Sequence, residues 1–307
     1  MILTDRINAT TINLEDGMKH DHSLVRLTLL SITASLTLTS GAFGAVITFS
    51  EGGDATPGSI LDTVNAFRSA LGDPNNGNAP GPLASGRREI NWDGGGSSAT
   101  SPSLSPFDGF LNNRGARFTT PGFGFVQAPP TGLDTAFNNP NLSSTFGVFS
   151  QLRLFTPVLS NITDVFFFIP GTNGAVPATV SGFGTVFTDV DLNGSTKIQF
   201  FDSTDTLIFD GIVPAGTVSD QSLSFFGAIG NAGEQISRVR ITSGNTAIGP
   251  NFENPNVETV DVVAMDDFIY SEPVPEPRVF GMVVAGIVMM AWRRRKAFKL
   301  GVPFSRA

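Results

Sequence analysis

Apolar positions recur along this chain in short runs separated by turn residues, and the spacing inside the runs changes along its length. Residues 24–43 form an apolar, Thr/Ser-rich stretch that ends in the small-residue sequence Gly41-Ala42-Phe43-Gly44-Ala45. After a short strand at 46–49, Thr56-Pro57 offers an N-cap with proline in the first turn. Ile60, Leu61, Val64, Phe67 and Leu71 then fall at helical spacing as far as Gly72. That spacing predicts the one substantial helix of the domain. Residues 73–106 are dense in Asn, Gly, Pro and Ser and read as loop. Strand-like runs follow at 116–119, 123–126, 146–155, 164–169, 179–190, 196–201, 207–213, 223–226, 237–242 and 258–270. Regular short strands with a single helix predict an all-β domain, a β-sandwich or jelly roll with one short N-terminal helix.

Two runs are sharp enough to read by residue. In Ser237-Arg238-Val239-Arg240-Ile241-Thr242, charged and apolar residues alternate, so Val239 and Ile241 should face the core and the arginines should face solvent or a carboxylate. The run 164–169 holds Phe166, Phe167 and Phe168 in succession, as expected of a strand covered on both faces.

Composition narrows the chemistry. The chain has no Cys, and its only two histidines, His20 and His22, precede Gly44. Disulfides, thiolate nucleophiles, His-ligated metals and Ser-His-Asp triads are therefore excluded from the domain. Between residues 45 and 277 there are 9 Lys/Arg against 23 Asp/Glu, a net charge of −14. Such a surface repels nucleic acid and anionic lipid and suits divalent cations. With 27 Phe in 307 residues the chain can fill a core, which sets it apart from disordered acidic sequences.

The ends of the chain carry the clearest signals. Residues 1–44 read as a secretion leader cleaved after Gly44, with Ala42 and Gly44 at the small-residue positions. Asp5, Glu15 and Asp16 are unusual in a positively charged n-region and point to Met18 as the translation start. An N-terminal membrane anchor is the alternative. Residues 45–272 form the domain and 273–307 a tail, in which Val274-Pro275-Glu276-Pro277 precedes the apolar segment 279–292 and then Arg293-Arg294-Arg295-Lys296. The basic cluster resists translocation, which places the domain outside the membrane. Fourteen residues of helix span about 21 Å, short of a hydrocarbon core of about 30 Å, so the segment suits a transient intermediate better than a lasting anchor.

This order of proline motif, apolar helix and basic cluster resembles the PEP-CTERM tails of bacterial exported proteins. The resemblance implies recognition and removal by an integral-membrane exosortase, with transient inner-membrane anchoring before display at the cell surface or release. An ordinary C-terminal anchor is the alternative. The sequences Gly77-Asn78-Ala79-Pro80-Gly81, Gly86-Arg87-Arg88-Glu89-Ile90-Asn91-Trp92-Asp93-Gly94, Phe187-Thr188-Asp189-Val190-Asp191 and Met265-Asp266-Asp267-Phe268-Ile269-Tyr270 resemble an uncharacterised exported bacterial domain found with such tails. That second resemblance brings no activity with it.

Three constellations remain as candidate chemistry. Asp189-Val190-Asp191-Leu192-Asn193-Gly194 opens like an EF-hand loop, but Phe200 stands where a bidentate Glu is needed. It reads either as a tight Asn-Gly hairpin turn or as a different cation site. Asp266-Asp267 interrupts an apolar run; the two should point to opposite faces, and the buried one needs Arg238, Arg240 or a metal. Calcium bound by some of Asp189, Asp191, Asp266 and Asp267 is the corresponding cofactor expectation. Trp92 and Asp93 lie among Arg87, Arg88, Glu89 and Asn91, which suits a sugar-stacking platform or a packing plug.

Together these readings predict a non-enzymatic, exported surface or extracellular-matrix protein, structural or glycan-binding and associated with exopolysaccharide. Its partners would be the secretion machinery, an exosortase and extracellular polysaccharide, and not nucleic acid. The alternative is a carbohydrate-active hydrolase using a carboxylate pair, which needs neither His nor Cys.

Overall fold

The computed structural model describes residues 46–94, 96–250 and 259–276. The leader, Pro277, the segment 279–292 and Arg293, Arg294 and Arg295 lie outside the described residues. In chain order the elements are β1 (Val46–Gly52), α1 (Leu61–Leu71), β2 (Arg87–Ile90), β3 (Ser101–Leu104), α2 (Leu111–Arg114), β4 (Ala116–Thr119) and β5 (Gly124–Ala128). They continue with α3 (Pro130–Phe137), α4 (Leu142–Thr145), β6 (Leu154–Val158), β7 (Ile162–Phe167), β8 (Ala178–Thr179), β9 (Gly182–Thr188) and β10 (Lys197–Phe201). Last come β11 (Leu207–Ile212), β12 (Leu223–Gly230), β13 (Arg238–Thr242), β14 (Ala264–Ser271) and β15 (Val274–Pro275).

The domain is mostly β and antiparallel, as its turn-punctuated runs predict. One sheet runs β1-β12-β9-β14-β6-β5-β3, with β2 also paired to β14, and the other runs β11-β10-β13-β7-β4. Phe118, Val165, Phe200 and Val239 of the smaller sheet share one core with Phe125, Phe155, Phe187 and Phe268 of the larger. The outer face of the larger sheet is covered as well. Ile60, Val64 and Phe67 pack on Val186, Leu223, Phe225 and Ile269, while Leu133, Phe137 and Leu142 pack on Val126, Leu154 and Ala264. Strands β5, β9 and β14 are accordingly buried at every residue, the pattern of strands with a layer on each side.

Helix α1 can approach this closely because Gly184 and Gly227 face each other across β9 and β12. A Cβ at either glycine would come within 2.8 Å of the Phe67 ring. The helix itself follows the apolar spacing, but Thr56 does not cap it. A 3-10 turn over Pro57–Ser59 intervenes, and Thr56 Oγ1 bonds Asp54 instead.

Several expectations need correction. Residues 73–106 contain β2 and β3, four-residue strands hidden by the charged Arg-Arg-Glu of the one and the Ser-Pro-Ser of the other. Residues 146–155 are strand only from Leu154, because 146–153 forms an irregular segment that supplies backbone donors to buried carboxylates described below. From Val165 to Ile169 burial alternates, with Val165, Phe167 and Ile169 buried and Phe166 and Phe168 half-buried, so the phenylalanine run is not covered on both sides. The Arg117 guanidinium instead lies 5.2 Å from the Phe168 ring centroid. Asn193-Gly194 does not turn a hairpin, since the strands it joins, β9 and β10, belong to different sheets. Among the described residues no helix is long and apolar enough to cross a membrane.

Candidate functional site

The register of β14 against β9 slips between Met265 and Phe268. Such a bulge puts extra residues on one strand and re-aims their side chains. Asp266 and Asp267, which strict alternation would send to opposite faces, therefore both reach Ser150. Ser150 Oγ lies 3.1 Å from Asp266 Oδ1 and 2.6 Å from Asp267 Oδ1. The backbone N–H groups of Phe149 and Ser150 donate to Asp266 Oδ2 at 2.7 and 3.3 Å. Arg68, in the last turn of α1, donates to Asp267 Oδ2 at 3.2 Å and to Glu89 Oε2 at 2.9 Å, and Arg87 Nε holds Glu89 Oε1 at 2.7 Å.

The expected partners Arg238 and Arg240 are elsewhere, because β13 lies in the smaller sheet. Both grip Asp164 of β7, with contacts of 2.8 and 2.9 Å to Oδ1 and 2.8 Å to Oδ2. Val239 and Ile241 face the core, as the alternation in β13 requires.

Burial, followed by the charge of Asp267, raises the Asp266 carboxyl well above the ordinary carboxylate range. Asp267 is raised as well, first by burial, with Ser150 and Arg68 acting against the shift. The pair thus shares a proton that rests on the fully enclosed Asp266. A folded-state pKa above the unfolded value gives stability that is present at low pH and lost as pH rises through the folded value. Asp266→Asn, which keeps a donor and an acceptor of the same shape, is expected to make the fall of melting temperature above pH 4 shallower. Melts across pH 4–9 test this, and a slope equal to wild type would place the titration on other groups.

Trp92 is fully buried, with its ring stacked 3.9 Å from that of Phe155 and edge-on to Phe110, Phe118 and Phe268. Its Nε1 donates to the Asp266 carbonyl at 2.8 Å. No ring face remains for a sugar, and the platform expectation gives way to a packing role. Asp93 is also buried. Its Oδ1 accepts the N–H groups of Leu152 and Arg153, and the Arg153 guanidinium reaches back to the Trp92 carbonyl. Asp93, next to Trp92 in sequence, thus points inward, whereas Asn91 on the other side is exposed.

Asp189 and Asp191 lie in the crossover between the sheets, separate from the bulge pair. Asp189 is buried with φ +68, and its N–H donates to Ser222 O at 2.8 Å. The Asp191 carboxyl is pushed up to about 6, first by desolvation and then by repulsion from Asp261 and Asp220. Asp261, raised by its own burial, accepts Ser195 Oγ and the N–H groups of Asp191 and Leu192. Among the described residues no group of three or more carboxylates or histidines is placed to hold a metal ion. The four aspartates expected to bind calcium therefore fall into two separate places.

At the far edge of the larger sheet, a groove of about 630 Å³ runs along β3 and β5 between Ser103, Leu104, Phe123, Val126, Ala136 and Val158. Of the tail motif, Val274 and Pro275 form β15 against Thr179 and Ala178 of β8, with Glu276 following.

No protein family, curated protein or solved structure matches this chain. The arrangement therefore has to be read on its own chemistry. Sequence reasoning found the Asp pair but missed Ser150, Arg68 and Asp261, and placed Glu89 beside Trp92 rather than with the Asp pair. A charged residue in the last turn of the amphipathic helix was the only available signal, and it pointed to Arg68.

Proposed function

We propose that this chain is an exported, exosortase-processed protein of the cell surface or extracellular matrix, and that its domain, a β-sandwich of jelly-roll type, has a structural rather than a catalytic role. The observation that carries this reading is the enclosure of the carboxylate pair. Asp266 is completely buried, and the pair's oxygens are engaged by Phe149, Ser150, Arg68 and each other. A hydrolase needs one carboxylate facing each side of a substrate bond with room for that substrate. Here the pair clasps α1, β14 and the segment 146–153 together. Export and processing rest on the leader, the Val-Pro-Glu-Pro motif and the basic cluster, with exopolysaccharide as the associated matrix.

The test is isolation of the native protein from the cell surface and culture medium, with both termini determined by mass spectrometry. The expected mature protein begins near Ala45 and lacks everything after the Val274-Pro275-Glu276-Pro277 region, the residues from Arg293 to Ala307 included. Recovery of those C-terminal peptides from most of the surface-exposed protein overturns the processing reading. Release of reducing sugar from the organism's own polysaccharide overturns the non-catalytic one.

A further inference from the structure

We propose that the β15–β8 pairing is an autoinhibitory contact, which withholds the first half of the Val-Pro-Glu-Pro motif from the processing enzyme until the two strands part, a regulation that rests on the processing reading above. The start of the motif belongs to the fold. Val274 pairs with Thr179 and Pro275 with Ala178 in an antiparallel ladder. Pro275 has no N–H, so the hydrogen-bonded pair of that ladder is Val274 with Thr179. Val274 is 38% exposed, and Pro275 and Glu276 are half-buried.

Both sides of the ladder are fixed in place. Ala178 and Thr179 are buried, and bridges from Phe168 to Pro177 and from Val180 to Ile236 hold β8 at each end. Thr179 Oγ1 also donates to Gln235 Oε1. On the other side, Arg88 clamps the Glu272 carboxylate, the Glu272 N–H donates to Gly86 O at 3.0 Å, and Pro273 is buried. The chain therefore reaches Val274 already aligned with β8, and docking costs little loop entropy.

An extended peptide is gripped through its main-chain N–H and C=O groups, as an added strand. In β15 the main chain is already paired, so an enzyme that takes hold of Val274 must displace β8. Reach sharpens the conflict. From Pro275 to Val279, where the apolar segment begins, four residue steps extend at most about 14 Å. An enzyme at the membrane edge thus meets the motif and the folded domain together. Two residue pairs are few enough to open without unfolding the rest, so the contact slows processing and does not forbid it.

The experiment follows loss of the C-terminal tail by pulse labelling and mass spectrometry in the producing organism. A flexible insertion of about six Gly/Ser residues between Pro273 and Val274 frees the motif from its alignment with β8. It is expected to speed processing about three- to tenfold, the gain when the wild-type motif is undocked about a tenth to a third of the time. The opposite variant is Thr179→Cys/Val274→Cys, in a chain with no other cysteine. Opposed residues of a hydrogen-bonded pair lie about 5.5 Å apart at Cα, within disulfide reach. Its oxidised form should be processed at least about tenfold more slowly than Val274→Cys alone and should recover on reduction. In the purified full chain, hydrogen exchange of the Val274 amide should be slowed in wild type and approach the free-peptide rate in the insertion variant. Equal processing of wild type and insertion variant overturns the proposal, as does unhindered processing of the oxidised double variant. A wild-type Val274 amide that exchanges as fast as a free peptide overturns the contact itself. If no chain, wild type included, loses its tail, the processing reading falls and takes the gate with it, and a protected Val274 amide then marks β15 as structural alone.

Discussion

Trp92→Ala is expected to destabilise the domain by about 3–5 kcal/mol, which lowers the melting temperature by roughly 6–20 °C for a domain of this size. The indole sits against Phe118, Phe155 and Phe268 from both sheets and Phe110 just before α2, so its removal leaves a cavity at their junction that cannot collapse without moving strands. The change also deletes the hydrogen bond to the Asp266 carbonyl at the bulge. Trp92→Phe retains most of the volume and loses the donor, so it should lie between wild type and alanine. Urea unfolding of the full chain provides the measurement. An unchanged midpoint for the alanine variant would mean that the indole is not in the core.

Arg88→Met is expected to cost about 3–5 kcal/mol by a different route, since it strands a buried carboxylate. Arg88 is fully buried and holds Glu272 through two contacts of 2.8 Å, while its Nη1 donates to Gly77 O at 2.9 Å and Asn113 O at 3.2 Å. Glu272 also accepts Asn76 Nδ2 at 2.8 Å and the Leu83 N–H at 3.1 Å. The double variant Arg88→Met/Glu272→Met should recover part of the loss, because a buried pair replaced by apolar residues is often neutral. Limited proteolysis should show early cleavage near Leu83 in the single variant. A double variant no better than the single would mean that the backbone contacts to Gly77 and Asn113 dominate.

How far the sequence could be read depended on the distance over which each feature is encoded. Helix α1 and strand β13 were legible because Val64, Phe67, Val239 and Ile241 fall at the period of their own element. Adjacent acids in an apolar run likewise marked Asp266 and Asp267 as unusual. Their partners were not legible. A one-residue slip in β14 brings both acids to Ser150, and which sheet receives β13 decides whether Arg238 can reach them. Both are tertiary facts with no local signature. Trp92 misled because its sequence neighbours are polar, whereas in the fold Asp93 turns inward to bond the backbone of Leu152 and Arg153 and the indole is enclosed by phenylalanine rings.

The pairing of the strands nearest the two chain ends also sets how the domain would respond to tension. A pull on the C-terminal side must first strip β15 from β8, a ladder of two residue pairs. It then meets β14, an interior strand bonded to β9 on one flank and to β6 and β2 on the other. A pull on the N-terminal side meets β1, an edge strand whose one strand partner among the described residues is β12, with Phe49 packed on Phe67 of α1; its ladder can be peeled one hydrogen bond at a time. Drag on a domain held by its C-terminal tail would therefore load the interior strand, and the strand that peels easily would carry no force.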